Sequence, residues 1–426
     1  MSGHSSLVEY LMLCMNTLCG RFVRAGEAVA NPGVLLPRAT PVAEAVAPAA
    51  YANLGEKLRV RGLAQSASGM PTAALADEIL LEGEGQVKAL IVNGGNPVAA
   101  WPDQEKTVAA MKALELLVHV DIKMSATAKL ADYIIAPKVS FEVPTMSLAV
   151  EQLENFSYHW GLCEPFGMYA PALIEPPAGS DLIEEWEFYY GLAQRLGIGL
   201  FAYSLQSKTA TTREDRDFVM FDMVNKPSTD EIFEILCNRS RISLTEVKQH
   251  PNGALFPEAI IAQAKNEDCD ARLDVGNTDM MAELATVQHQ KTGLAGYPYK
   301  LVCRRMKNTY NSSLRDLPKL VKTKRPYNPA FMHPDDLIEL GVGEGENIVI
   351  TSINGEIIGI ANADKTLKRG ILSMAHAFGD VEQDDRNGSL FSNGSSTSRL
   401  VSTNDSYDRF SGMPRMSALP IKICKH

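Results

Sequence analysis

The sequence predicts an α/β fold with a doubly wound parallel sheet, followed by a second, β-rich domain. Two observations support this prediction. Between residues 87 and 137, continuous apolar runs alternate with segments of helical spacing. From Leu301 onward, short strand-like runs are separated by Gly, Asn and Asp turns, a pattern typical of a barrel or a sandwich.

The α/β unit contains three predicted strands and two predicted helices. The strands are unbroken apolar runs, as in parallel sheets that are covered on both faces. In order, the segments are strand 87–92 (VKALIV), turn 93–97 (NGGNP), helix 103–114, strand 116–120 (LLVHV), helix 125–131 and strand 132–137 (DYIIAP).

The remaining chain divides into a connection and the β-rich domain. Helices are predicted over 181–197 and 229–240, and the pattern changes to short strands near residue 297. We therefore expect an α/β domain over 1–140, a return segment with a helical connection over 141–296, and the β-rich domain over 297–426. Leu7–Leu18 has amphipathic helical spacing and begins almost at Met1, so we expect further sequence upstream.

Composition excludes several classes of protein. With 45% hydrophobic and 22% charged residues the chain is long and apolar enough to fold, and its net charge of −10 argues against nucleic-acid or anionic-lipid partners. Seven scattered cysteines, an odd number without a CxxC pair, favour neither disulfides nor a thiolate metal cage and indicate a cytoplasmic protein. No apolar run approaches the roughly 20 residues of a membrane span.

The turn 93–97 follows a predicted parallel strand, at the end where open α/β sheets bind ligands. Asn93 and Asn96 carry amides that donate and accept hydrogen bonds, and Gly95 allows close backbone approach. An ordinary strand-to-helix turn is the alternative. Asp121 ends the next strand, where its carboxylate suits a guanine edge or a ribose diol, or else caps a helix.

A polar run in the β-rich domain suits pyrophosphate. Arg304 and Arg305 are followed within ten residues by hydroxyl and amide donors, among them Asn311 and Ser312. A solvated basic strand is the alternative. The GxGxxG fingerprint is absent after the strands, which disfavours a nicotinamide cofactor, and no HExxH, GxSxG or P-loop motif occurs. The sequence offers no catalytic or metal-binding residue set.

Together these segments resemble the C-terminal half of the molybdopterin oxidoreductases of the dimethyl-sulfoxide-reductase family. The order of motifs carries the resemblance: NTLCGRFVRAGE (16–27), LIVNGGNP (90–97), HVD (119–121), ADYIIAP (131–137), PPAGSDLIEEWEFYYGLAQRLG (176–197), RRMKNTYNSSLRDLP (304–318), HPDDLIELGVGEGENIVITSINGEI (333–357) and SRLVSTNDSYDRFSGMP (398–414). It implies a Rossmann-like cofactor-binding domain and a double-psi-like dinucleotide-binding barrel.

The resemblance also implies the cofactor and its contacts. The cofactor is molybdopterin guanine dinucleotide, present twice around molybdenum in the complete enzymes. The implied cofactor-binding residues are Asn93, Gly95, Asn96, Asp121, Glu184, Arg304, Arg305, Asn311, Ser312, His376, Phe378, Ser398 and Arg415. Ser398 stands where many members have Asn.

The implied activity is oxygen-atom or hydride-equivalent transfer at the metal. The 4Fe-4S cysteines and the metal ligand of such enzymes lie in an N-terminal half, so we expect that half, or a separate catalytic subunit, as the partner of this chain. We expect no turnover from the chain alone. The alternative is a non-catalytic scaffold or subunit that keeps the fold without the metal.

Overall fold

A computed structural model describes most of the chain and confirms the predicted fold class. Its α/β part precedes a closed β-barrel. The described residues are 3–28, 31–37, 41–45, 54–66, 69–151, 164–203, 218–289, 293–307, 309–315, 317, 326–381, 389–404 and 407–426.

The strands of these ranges are numbered in chain order. They are β1 (Val42–Ala43), β2 (Leu54–Lys57), β3 (Ala64–Gln65), β4 (Ala89–Asn93), β5 (Leu116–Val120), β6 (Tyr133–Ile135), β7 (Thr145–Met146), β8 (Phe166–Gly167), β9 (Tyr169–Ala170), β10 (Phe201–Tyr203), β11 (Phe218–Met220), β12 (Ala254–Leu255), β13 (Gln263–Ala264), β14 (Tyr299–Arg304), β15 (Ala330–Met332), β16 (Asn347–Thr351), β17 (Glu356–Ala363), β18 (Ile371–Ala375) and β19 (Leu419–Lys425).

The helices whose bounds lie in these ranges are numbered in the same way. They are α1 (Ser5–Leu18), α2 (Thr72–Leu80), α3 (Pro97–Ala100), α4 (Gln104–Ala113), α5 (Glu185–Leu196), α6 (Thr229–Leu236), α7 (Leu244–Val247), α8 (Thr278–His289), α9 (Pro334–Glu339) and α10 (Ser389–Asn393). Short 3-10 helices cover Ala128–Leu130 and Thr397–Leu400. None of the helices in the described part of the chain is long and apolar enough to cross a membrane.

The chain divides into two compact units. The first comprises Met1–Met15, Ala50–Ile135 and Val275–His426, and the second comprises Asn16–Ala49 and Ala136–Asp274. The α/β sheet and the barrel therefore belong to one unit. The three domain boundaries expected from the sequence stay a prediction.

The α/β part of the first unit is a three-stranded parallel sheet in the order β4, β5, β6. Val92 and Leu117 point to one face and pack with Met111 of α4, so the helix after the first strand covers that face. The predicted helix 125–131 is shorter, because Ser125 accepts a hydrogen bond from the Ala128 amide and opens a single 3-10 turn.

The β-rich part is a closed six-stranded barrel, which decides between the barrel and the sandwich. Its order is β14, β18, β15, β17, β16, β19, with parallel pairing only within β14–β18 and β15–β17 among its described strands. The interior is filled by aliphatic side chains such as Met332, Ile350 and Leu372. At Gly359, an added Cβ would lie 2.8 Å from Cδ1 of Ile350 and 3.1 Å from Cβ of Ala330, so a larger residue would displace neighbouring side chains of the barrel core.

The second unit has its own apolar core, formed by Val34, Leu35, Leu244 and Val247 with their neighbours. Buried Glu151 accepts hydrogen bonds from three consecutive backbone amides, those of residues 34–36, at 2.8–3.2 Å. Its helices α5 and α6 both begin with a capping box, so local sequence defines where they start.

Candidate functional site

A polar cleft of about 140 Å³ opens within the first unit, between the carboxyl end of the parallel sheet and the barrel loops. Its α/β side consists of Asn96, Asp121, Lys123, Met124, Ser125, Ala126 and Lys129. Its barrel side consists of Ser312, Ser313, Arg315, Gly379, Asp380, Ser392 and Asn393. The cleft therefore joins two parts of the sequence that are almost 200 residues apart.

Asn96 precedes α3 and presents donors to the cleft. Its side-chain oxygen accepts hydrogen bonds from the amide of Thr127 at 3.2 Å and from the Thr127 hydroxyl at 2.9 Å. Because an N–H group can only donate, this contact identifies the oxygen and turns the NH2 group away from Thr127. The Thr127 contacts thus orient the buried amide, and its NH2 group donates no hydrogen bond within the described part of the chain.

Asp121 directly follows β5 and is held as an acceptor. One carboxylate oxygen accepts the amide of Lys123 at 3.2 Å, and the Asp121 amide donates to the carbonyl of Ile135 at 3.2 Å. The other oxygen lies 4.0 Å from Nε2 of His119, too far for a hydrogen bond. The carboxylate therefore closes a turn, and its second oxygen accepts no hydrogen bond from the residues that the structure describes.

The barrel side supplies a fixed guanidinium. Arg315 donates from Nε to the Ser312 carbonyl at 3.2 Å and from Nη1 to the Asn393 carbonyl at 3.0 Å. Its guanidinium carbon also lies 4.9 Å from the ring centroid of Phe378. These two backbone carbonyls fix the direction of the guanidinium, and a guanidinium is a suitable donor to a phosphate.

Gly379 brings the barrel backbone close to the cleft. Its φ of +88° favours glycine, and an added Cβ would lie 2.9 Å from the amide nitrogen of Ser396. Across the cleft, Lys129 of the α/β side forms an ion pair with Asp380 of the barrel side. The two sides are therefore tied together at the rim.

Behind the cleft, buried Gln104 fastens the same two parts. Its Nε2 donates to the carbonyls of Val98 at 2.9 Å and Asp380 at 3.2 Å, while its oxygen accepts from Nε of Arg399 at 2.7 Å. The Ser398 hydroxyl adds a bond to a backbone carbonyl of α3 at 3.2 Å. These bonds connect the α/β part directly to the barrel part of the first unit.

Three of the predicted cofactor contacts, Asn96, Asp121 and Ser312, line the cleft. Gly95 lies beside them in the turn and its carbonyl is 3.0 Å from Nε2 of His119. Phe378 is buried beneath Arg315, and Asn93 ends β4. Two of the predicted residues, Asn96 and Asp121, therefore lie on the α/β side of the cleft, and their contacts with a cofactor stay a prediction.

Other predicted contacts are not among the residues that line the cleft. Arg304 pairs with Asp364 at 3.0 Å and its guanidinium stacks over Phe331. Arg305 donates a hydrogen bond to the side chain of Asn311. Ser398 is fully buried and donates to the backbone carbonyl of α3 described above.

Arg415 donates to the backbone carbonyls of Ser417 and Ala418. Burial lowers its pKa from the ordinary value. Glu184, in the second unit, caps α5 and accepts hydrogen bonds from Trp186 and Thr229, so its present contacts are structural. The cofactor roles of both residues stay predictions.

His376 directly follows β18 of the barrel. Burial lowers its pKa to about 4, although a hydrogen bond to the backbone of Ala100 opposes this and Arg305 adds to it. Its Nδ1 is buried and has no partner among the described residues. The imidazole is therefore neutral near pH 7 and holds one unused ring nitrogen.

Arg315, Lys129, Asp380 and Gln104 were not among the predicted contacts. Arg315 lies three residues after Ser312 in the same polar run, so that run could have indicated it as a further contact. No sequence motif marks Lys129, Asp380 or Gln104. Their contacts arise only because a particular barrel segment faces the sheet. Among the described residues, no group of three His, Cys, Asp or Glu side chains could hold a metal ion.

Comparison with known proteins connects the barrel to a cofactor. Residues 299–420 match the family described as "Molydopterin dinucleotide binding domain". The chain is 24% identical over 313 residues to "Probable oxidoreductase YyaE" of Bacillus subtilis, covering 71% of this chain and 40% of that protein. It is 22% identical over 362 residues to "F420-dependent formate dehydrogenase subunit alpha" of Methanocaldococcus jannaschii, covering 81% and 44%.

The fold is also similar to that of a solved structure, acetylene hydratase from Pelobacter acetylenicus, with a TM-score of 0.56 and 18% identity over 85% of this chain and 47% of that one. The chain thus spans less than half the length of these relatives. The predicted family resemblance and cofactor class are confirmed: residues 299–420 form a molybdopterin dinucleotide-binding domain, in a chain related to the molybdopterin enzymes of the dimethyl-sulfoxide-reductase family.

Proposed function

We propose that this chain is the cofactor-holding portion of a molybdenum-dependent oxidoreductase, and that its cleft holds the nucleotide end of a molybdopterin guanine dinucleotide. One observation supports this most strongly. The barrel of the dinucleotide-binding domain and the carboxyl end of the parallel sheet contribute polar groups to one cleft. Ligands bind at this end of open α/β sheets.

The size of the cleft fits one end of the cofactor. A cavity of 140 Å³ is comparable to one that holds a single six-membered aromatic ring, at about 150 Å³. Pockets that enclose whole drug-sized ligands run to roughly 300–1,000 Å³. We therefore assign to the cleft no more than the base at the nucleotide end of the cofactor, with the sugar and pyrophosphate at its opening and the pterin outside it.

The donor set also fits. The free carboxylate oxygen of Asp121 would accept from the N–H groups of a guanine edge, as the NH2 group of Asn96 would donate to a base or ribose oxygen. Arg315 would neutralise the pyrophosphate, which the backbone at Gly379 allows to approach closely. When bound, the cofactor supplies the metal for oxygen-atom or hydride-equivalent transfer.

The catalytic remainder is proposed to lie outside this chain. The chain spans 40% and 44% of two curated relatives, so an N-terminal half or separate catalytic subunit would contribute the metal ligand and any 4Fe-4S cluster. In this arrangement the residues of the chain bind and orient the cofactor. The chain by itself is then expected to show no turnover.

A nucleotide titration tests the assignment. Isothermal titration calorimetry with GDP, CDP and ADP should give saturable binding that is tightest for GDP. Asp121→Asn should weaken GDP binding about 10- to 100-fold, since hydrogen bonds to a charged group contribute roughly 1.5–3 kcal/mol. Arg315→Gln should weaken all three ligands.

The control is Asp335→Asn, which changes an exposed carboxylate on the barrel. It should leave the GDP affinity unchanged. Folding of each variant is checked by circular dichroism. Two results would contradict the proposal. One is equal affinity for GDP and CDP that Asp121→Asn does not change, and the other is a folded chain that binds none of the three nucleotides.

A further inference from the structure

His119 is a buried histidine that contacts two of the segments on the α/β side of the cleft. It lies in β5 and its side chain is 0% exposed. Its Nε2 is 3.0 Å from the carbonyl oxygen of Gly95 and 3.3 Å from Oγ of Ser125. Gly95 belongs to the turn after β4, and Ser125 lines the cleft in the segment after β5. One ring nitrogen thus connects both segments.

The partners of the ring identify the nitrogen that carries hydrogen. A carbonyl oxygen can only accept, so the contact with Gly95 requires an N–H group at Nε2. Nδ1 is buried and has no partner among the described residues, so an N–H group placed there would be buried without an acceptor. Hydrogen-bond accounting therefore places the ring hydrogen on Nε2.

This N–H group determines which hydrogen bonds the hydroxyl of Ser125 can still make. A serine oxygen accepts through two lone pairs and donates one O–H. Oγ accepts from the Ala128 amide at 3.1 Å and, since Nε2 carries hydrogen, from His119 at 3.3 Å. Both lone pairs are then used. The O–H is the group that Ser125 can offer to a molecule in the cleft.

The Ser125 donor lies near the Asp121 acceptor. Oγ of Ser125 and Oδ2 of Asp121 are both within 4.0 Å of the same nitrogen, Nε2 of His119. Guanine carries the complementary groups, because its O6 accepts whereas its N1–H and amino groups donate. Adenine carries an amino donor in place of O6 and would meet the Ser125 donor with another donor. The pair of side chains therefore favours guanine.

We propose that Ser125 is a specificity-determining residue that donates to O6 of guanine, and that His119 is the positioning residue that keeps the hydroxyl in this role. The proposal rests on the proposed function, because it specifies how the same cleft recognises the base. Without the N–H group of His119, the Gly95 carbonyl loses its donor. The hydroxyl of Ser125 can then turn towards that carbonyl, since both oxygens lie within 3.3 Å of the nitrogen that is lost.

Calorimetric titration of the chain with GDP, inosine diphosphate and ADP tests the role of Ser125. Inosine diphosphate keeps O6 and lacks the amino group, whereas ADP lacks O6. Ser125→Ala should weaken GDP and inosine diphosphate by the same factor, roughly three- to tenfold for one hydrogen bond, and should not weaken ADP. Ser66→Ala, which removes a hydroxyl from a turn away from the residues that line the cleft, is the matched control and should change none of the affinities.

Two variants of His119 separate positioning from packing. His119→Gln keeps an N–H donor and should retain most of the GDP affinity. His119→Met keeps an apolar side chain without a donor, and it should weaken GDP and inosine diphosphate as Ser125→Ala does, with no loss for ADP. Because His119 acts through Ser125, the double variant His119→Met with Ser125→Ala should lose no more GDP affinity than either single variant. Circular dichroism checks the folding of each variant.

The hydrogen on Nε2 can be tested in the unsubstituted chain without a ligand. Proton–nitrogen NMR correlation spectra of the chain with labelled histidine should show a protonated Nε2 and an unprotonated Nδ1 for His119, whose signals are those missing from His119→Gln or His119→Met.

Three results would overturn the proposal: a protonated Nδ1, equal weakening of GDP and ADP by Ser125→Ala, or additive losses in the double variant. A folded chain that binds no nucleotide removes the proposed function. A preference for GDP that neither Ser125→Ala nor His119→Met reduces removes this inference alone.

Discussion

Replacing Gln104 by Met removes the hydrogen bonds that connect the α/β part to the barrel and keeps a side chain of similar length. Gln104 is fully buried and makes three hydrogen bonds, to the carbonyls of Val98 and Asp380 and to Nε of Arg399. A buried polar group left without its partner costs roughly 1–3 kcal/mol. The substitution leaves three groups without this partner: the carbonyls of Val98 and Asp380 and the Nε of Arg399. Because Arg399 keeps its ion pair with Glu105, we expect a total loss of about 4 kcal/mol in the free energy of unfolding.

Urea denaturation followed by circular dichroism measures this loss. Gln194→Met is the matched control, because Gln194 makes one exposed hydrogen bond, to the Met223 carbonyl at 2.6 Å. It should lower the free energy of unfolding by less than about 1 kcal/mol. The Gln104 variant should also bind GDP more weakly, because the backbone carbonyl of Asp380, a residue that lines the cleft, loses its hydrogen bond from Gln104. Equal losses of stability in the two variants would refute this reasoning.

Three further predictions concern buried polar groups. Glu151→Gln should lower the free energy of unfolding by roughly 2–4 kcal/mol in urea denaturation, because it weakens bonds to three backbone amides. Glu142→Gln, which affects one amide, should cost less than half as much. The depressed pKa of His376 means that the unfolded state binds more protons between pH 6.5 and about 4, so stability falls as pH falls through this window by at most about 3 kcal/mol. His376→Gln should flatten that part of a plot of unfolding free energy against pH, and an unchanged slope would be evidence against the assignment. Asp408→Asn should speed amide exchange at Ser6, whose N–H and hydroxyl both donate to this carboxylate at 2.8 Å, and unaltered exchange would count against an anchoring role.

The sequence predicted the features that depend on short-range residue patterns. The apolar runs of β4 and β5 predict parallel strands, and the residues that follow such strands lie at one edge of the sheet, so Asn96 and Asp121 could be found from their positions alone. The strand pattern by itself could not predict barrel closure, because closure depends on pairing β14 with β18 and β19, which follow it by about 70 and 120 residues. The barrel was expected from the family resemblance, and the structure confirms it.

The barrel side of the cleft shows the same limit. Arg304 and Arg315 lie in one basic run, yet the structure pairs Arg304 with Asp364 and directs Arg315 to the cleft. The difference arises after the end of β14, where the chain leaves the barrel wall and Arg315 reaches the Asn393 carbonyl at the end of α10. Charge spacing alone contains no information about that turn.

The central claim is that the sheet ends and the barrel loops hold the same cofactor. Hydrogen–deuterium exchange of the chain with and without purified molybdopterin guanine dinucleotide tests it most directly. Amides of 121–129 and of 309–315 should both become protected, with the same dependence on ligand concentration. Protection of only one of these segments, or two different concentration dependences, would contradict the claim.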